Sequence, residues 1–189
     1  ERRNVVLSCT TIKPILRKIW WSCLNIGLVY FFEYSVLVGF ADILTRQSNI
    51  PPNPNFFQQN VLIGRIQAFK ILSFMYQIGV TLSRSSMYCF KIEKWQALTL
   101  IQALNFAGWF VLAVLTNGYI YVEFGWMMWV GLIGGCSYVN IYFFTLELNK
   151  KLEDEEKELA VNLIILSTDI CSTLATLFAL LLSNTLFKQ

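Results

Sequence analysis

Not one histidine occurs in the 189 residues. Ser–His–Asp triads, Ser–His dyads and HExxH metal sites are thereby excluded, because each needs an imidazole. Glycine-rich phosphate loops are missing too, with neither a Walker loop nor a dinucleotide-binding fingerprint. The five cysteines (Cys9, Cys23, Cys89, Cys136, Cys171) stand singly, and three lie in apolar runs. That pattern gives no zinc spacing and no disulfide framework, and reads as small packing residues. Cys9 and Cys89 are weak candidates for lipidation near a membrane surface. The acids Glu33 and Asp169 do not supply the contexts of an intramembrane aspartyl protease. No catalytic residue, metal or cofactor is expected, and the chain is not expected to be an enzyme. Charge is scarce as well. Only 14% of residues are charged, where a soluble domain carries about a quarter. The net charge of +3 is too small and too dispersed for nucleic acid.

What the chain has instead is apolar length. Hydrophobic residues make up 56% of it, and the mean hydropathy is +0.52. About 20 apolar residues carry a helix across the hydrocarbon core. Five such runs are present, at about 19–40, 62–82, 96–115, 119–143 and 159–183. The fold expected is an all-α integral membrane bundle, preceded by a cytoplasmic lead-in over 1–18. Three of the four prolines fall in Pro51-Pro52-Asn53-Pro54, which cannot continue a helix and reads as an extended loop. Asn117-Gly118 makes a tight connection. Trp20, Trp21, Trp95, Tyr119, Tyr121 and Trp126 sit near span ends, as interfacial aromatics do. Trp109 and Trp129 lie deeper and read as packing residues. Lys and Arg in alternate loops divide eleven to three, which places the amino terminus and the 83–95 and 147–158 loops in the cytosol and 41–60 opposite. The chain opens Glu1-Arg2-Arg3 without an initiator Met and is expected to be a piece of a longer polypeptide.

An ionisable side chain inside a span costs several kcal/mol unless it faces protein or water. Glu33 is the first such residue. Ser22, Val29, Glu33, Leu37 and Phe40 share one helical face, so Glu33 is expected to point into the bundle. It is either a structural anchor or a site that couples protons or contacts substrate. The second span carries a polar stripe, Lys70, Ser73, Gln77, Thr81 and Arg84, within one narrow arc. The stripe is either the lining of a watery pathway or polar glue between helices. The fifth span repeats the device with Asn162, Asp169, Ser172, Thr173, Thr176 and Ser183, and Asp169 reads as a second buried acid. Gly131, Gly134 and Gly135 give the fourth span a GxxxG spacing that lets helix backbones approach. Glu123 lies near the non-cytoplasmic end of that span and is expected to face water. The six acids and three lysines of 147–158 read as a solvated turn.

Several words stand out in order along the chain: Phe32-Glu33-Tyr34, Tyr76-Gln77-Ile78-Gly79-Val80 leading into Ser83-Arg84-Ser85-Ser86, and Gln102-Ala103-Leu104-Asn105. Gly131-Leu132-Ile133-Gly134-Gly135 before Tyr138-Val139-Asn140, and the acidic Asp154–Ala160 segment, complete the set. Together they resemble the battenin family of lysosomal and vacuolar membrane proteins. The resemblance implies a fold like half of a major-facilitator transporter, residence in the lysosomal or vacuolar membrane and a part in lumenal pH homeostasis. It implies export of small polar metabolites, glycerophosphodiesters or basic amino acids, with roles in membrane trafficking as the alternative. The partners it implies are the lipid bilayer, the amino-terminal half of the same protein, a small polar solute and protons. The family's acid and arginine correspond to Glu33 and Arg84. A facilitator half has six spans where five are counted here, and the tail lacks the prenylation-type cysteine of some relatives.

Overall fold

The computed structural model describes residues 9–47, 65–85, 91–92, 94–115, 119–148 and 154–186. Among these every regular element is helical. The chain starts as α1 (Cys9–Tyr34), widens into a π-helical segment (Ser35–Phe40) and runs on as α2 (Ala41–Gln47). It continues as α3 (Arg65–Ser85), α4 (Trp95–Leu115), α5 (Ile120–Leu148) and α6 (Asp154–Thr185). Among the described residues four helical stretches are long and apolar enough to cross a membrane: Ile12–Arg46, Trp95–Leu115, Ile120–Glu147 and Glu155–Thr185. The fifth expected span is α3. Its 21 residues reach about 31 Å at 1.5 Å per residue, but Lys70, Ser73, Gln77 and Thr81 keep it less apolar than the other four.

Cross-helix contacts fix the directions. Thr145 Oγ1 donates to Ser22 Oγ (2.8 Å), and Tyr30 meets Tyr138, so α1 and α5 run antiparallel. Gly27 meets Ser167 and Cys171, and Gly39 meets Ala179, so α1 and α6 run parallel. Gly79 lies against Met128–Leu132, and Gly135 against Val80 and Ser83, so α3 and α5 are parallel too. Successive spans therefore alternate, as a polytopic bundle requires.

The seam between α3 and α5 is built on glycine. A Cβ added to Gly79 would run into the Met128 carbonyl, one on Gly131 into the Tyr76 carbonyl, and one on Gly135 into the Ser83 hydroxyl. Backbones come this close only where side chains are missing, which is the packing logic of small residues in membranes. Gly131 and Gly135 both lie in this seam. Gly134 points elsewhere, towards Glu33. Two apolar clusters close the bundle. Phe40, Trp109, Met127 and Val130 form one, and Ile15, Ile19, Trp95, Ile141 and Ile164 the other.

Several element bounds differ from the sequence expectation. The first helix begins at Cys9, inside the expected lead-in, because Ile15 and Ile19 pack against Ala160 and Ile164. Pro14 lies near its start, where few backbone hydrogen bonds are lost. Residues 154–158, expected as a turn, are the opening of α6, and α5 runs past 143 to Leu148. Trp109 is fully buried as expected, but Trp129 is 47% exposed and packs little within this chain. The Pro-rich loop, Asn117-Gly118, Cys89 and the side chain of Cys9 lie outside the described residues.

Candidate functional site

Glu33 sits where α1, α3 and α5 meet. It is 2% exposed and lies thirteen residues before the end of the Ile12–Arg46 span, about 20 Å along the helix axis. It is held there by an absence and a donor. Gly134 has no side chain, and a Cβ at that position would land on the Glu33 carboxyl. The Tyr76 hydroxyl, reaching across from α3, donates to the carboxyl. Ser22, Val29 and Phe40 on the same face are buried as well, so the helical-face reading of α1 holds.

The segment after Glu33 departs from α-helical geometry. Ser35 Oγ donates to the Phe31 carbonyl (2.7 Å), and the Ala41 N–H reaches back five residues to Val36. One extra residue in a turn rotates the helix beyond it. It brings Gly39 against Ala179 and Phe40 against Phe106 and Phe110. Such π turns recur at functional sites, and nothing in residue spacing announces them.

Tyrosines form the wall on the other side of Glu33. Tyr30 stacks on Tyr34 at 5.9 Å and approaches Tyr138 at 6.5 Å, and Tyr138 lies 4.4 Å from Tyr142. The Arg84 guanidinium stands 4.5 Å over the Tyr138 ring, a cation–π contact. Arg84 and Glu33 are thus brought to the same cluster, linked through Tyr138 and Tyr30. Arg46 pairs with Asp42 on α2, and no ion pair joins Glu33 to Arg84. Next to Arg84, Ile92 N–H donates to Asn140 Oδ1 (2.8 Å) and Lys91 Nζ lies 3.9 Å over Phe143. These contacts pin the later part of the α3–α4 connection, just before α4, to the last third of α5.

The remaining residues of the expected pathway are placed differently. Lys70, Gln77 and Thr81 lie on the exposed side of α3, and Ser73 at its margin, opposite the glycine seam. The stripe is real, but it faces away from this bundle. Ser73 Oγ already donates to its own helix at Phe69 (3.0 Å), so Gln77, in mid-helix, is the member that most needs water or protein. Asp169 is exposed on α6, not buried as expected. It remains within electrostatic reach of Tyr34 and Tyr142. Its polar neighbours Ser172 and Thr173 donate to the Asp169 carbonyl and Thr176 to that of Ser172. Hydroxyls satisfied within their own helix can face lipid.

Sequence reasoning missed two buried polar groups. Asn105 accepts from Trp126 Nε1 (3.1 Å) and donates to Gln102 Oε1 (3.2 Å), tying α4 to α5. Gln102 and Asn105 lie three residues apart in an apolar helix, and that spacing was the available signal. Glu123, expected to face water, is 1% exposed. It is buried because it continues the interior face of α5 that carries Met127, Val130 and Gly134. Among the described residues no group of His, Cys, Asp and Glu side chains is arranged to hold a metal ion.

A family model described as CLN3 protein matches residues 4–189. Battenin of Dictyostelium discoideum is 38% identical over 172 residues, which cover 89% of this chain and 38% of that protein. Battenin of Canis lupus familiaris is 29% identical over 169 residues, 88% of this chain and 35% of that protein. Protein btn1 of Schizosaccharomyces pombe is 33% identical over 162 residues, 84% and 37% of the two chains. The chain spans well under half the length of these curated relatives. No solved structure matches it. With membrane-length helices packed into an alternating bundle and a family match along almost its whole length, the chain is a multi-pass membrane protein belonging to the CLN3 family, the battenins.

Proposed function

We propose that the chain is the carboxy-terminal half of a secondary transporter of the lysosomal or vacuolar membrane. In this reading it exports small polar metabolites, glycerophosphodiesters or basic amino acids, and supports lumenal pH homeostasis. One observation carries the reading: Glu33 is buried inside the bundle against a glycine and a tyrosine hydroxyl, with no ion-pair partner. A carboxyl that needed only to be structural would be cheaper as an amide, because an unpaired acid in a membrane is costly. An acid kept there suits a group that takes up and releases a proton. The outward stripe of α3 supports the same reading. Gln77 and Lys70 need a polar neighbour, and the amino-terminal half supplies it across a central pathway, where substrate sites of such folds lie.

The test is the solute content of intact vacuoles from cells with the full-length protein, without it, and with Glu33→Gln. Accumulation of a small polar solute in the last two is expected. Unchanged solutes with altered delivery of vacuolar proteins would instead establish a scaffold acting in trafficking.

A further inference from the structure

The most conspicuous polar group outside the Glu33 cluster is Glu123. It is 1% exposed, and both carboxyl oxygens are buried without a hydrogen-bond partner. It lies on the α5 face that continues through Met127 and Val130 to Gly134, the residue against Glu33. Eleven residues separate Glu123 from Gly134, three helical turns and about 16 Å. The α4–α5 register puts a second unsatisfied group beside it. Asn105 pairs with Trp126, and one turn onward along α4, one turn back along α5, Trp109 comes level with Glu123. Trp109 is fully buried, and its Nε1–H has no acceptor.

The charges on the packed elements offer Glu123 nothing. Helix α4 contains no charged residue over Trp95–Leu115. On α2, Asp42 and Arg46 are paired with each other (2.8 Å). On α3, Lys70 and Arg84 lie on the exposed side, and the side chain of Arg65 lies outside the described residues; on α1 the one acid is Glu33 itself, and Lys13, Arg17 and Lys18 stand near the start of that helix. An ionised carboxylate left unpaired in such a place costs several kcal/mol. A bound metal cation is a poor remedy, since hard cations need several oxygen ligands. The residues beside it along α5, Phe124 and Met127, offer no oxygen side chain. A proton is the remedy the surroundings permit, since it removes the charge without requiring a ligand set.

We infer that Glu123 is a second proton-binding site, carried as the neutral acid in the packed bundle, on the same interior column as Glu33 and about 16 Å from it. Met127 and Val130 fill the column between the two acids, so the packed arrangement keeps them separate. This inference stands on burial and register alone, and does not depend on the transport reading.

The test is infrared difference spectroscopy of the purified full-length protein at neutral pH, reading the carbonyl stretch of protonated carboxyl groups. Glu123→Gln is expected to remove a band equivalent to one group, and the parent band is expected to be unaltered when choline replaces sodium. Glu123→Asp, which keeps an acid should the amide variant fold poorly, is expected to retain the band at a shifted frequency. Spectra with no protonated-carboxyl difference between the parent and either variant would overturn the inference. So would a sodium-dependent conversion of the band to carboxylate, which would assign the site to a metal cation.

Discussion

Replacing Gly131 by Ala tests whether the α3–α5 seam holds the bundle together. The new Cβ meets the Tyr76 carbonyl oxygen, the Tyr76 carbonyl carbon at 3.1 Å and the Val80 nitrogen at 3.2 Å. All three are backbone atoms of a helix, so no rotamer change relieves the contact and α3 must move outward. Over-packing of this kind costs about 1–3 kcal/mol. Against it stands the usual helical advantage of Ala over Gly, about 0.5–1 kcal/mol. A matched control removes that second contribution. Gly125 lies in the same helix with open space around its Cβ position, so Gly125→Ala carries the propensity gain without the clash. The full-length protein with Gly131→Ala should therefore be less stable than with Gly125→Ala by about 1–3 kcal/mol, read from unfolding in detergent. Gly79→Ala should act in the same direction, and the double variant should cost less than the two single costs together, because both push the same helix. Equal stability of Gly131→Ala and Gly125→Ala would refute the close-packed seam.

Arg84→Lys should reduce transport while leaving protein abundance unchanged, because an ammonium does not reproduce a planar guanidinium stacked over Tyr138; full transport by Arg84→Ala in a vacuolar uptake or efflux assay would reduce this arginine to a surface anchor. Trp126→Phe removes the indole donor to Asn105 and should lower stability by about 1 kcal/mol, with no loss expected from Trp129→Phe in the same unfolding measurement. Cysteines placed at positions 48 and 154 should be labelled from opposite sides of the membrane, as the division of basic residues demands; labelling of both from one side would reverse the assigned topology.

Much of this fold could be read from the sequence because bilayer thickness imposes a length on apolar runs, and four of five runs are unambiguous by that rule. The glycine seam was legible for the same kind of reason, since Gly131 and Gly135 are spaced for close approach. Periodicity also placed Glu33 inward and the α3 stripe on one arc. It could not say which way an arc faces, and Gln77 and Asp169 were found on exposed faces. The π turn at Ser35–Phe40 was invisible, because it depends on how Gly39 meets Ala179 and Phe40 meets Phe106 across the bundle. Glu123 was misjudged because closeness to a span end was given more weight than its place on the Met127–Val130–Gly134 face. Start and stop positions moved for a related reason. Ile15, which precedes the expected first run, packs in one cluster with Ala160 and Ile164 and carries the helix with it.

The most direct test of the central claim is the pH dependence conferred by Glu33. Glutamine matches the shape of the neutral acid and can still accept from Tyr76, so full-length Glu33→Gln should fold and reach its membrane at the parental level. In isolated vacuoles its solute export should no longer respond to the pH difference across the membrane, whereas the parent protein responds. Export by Glu33→Gln that keeps the parental pH response would contradict proton coupling at Glu33 and leave the carboxyl as a structural hydrogen-bond acceptor.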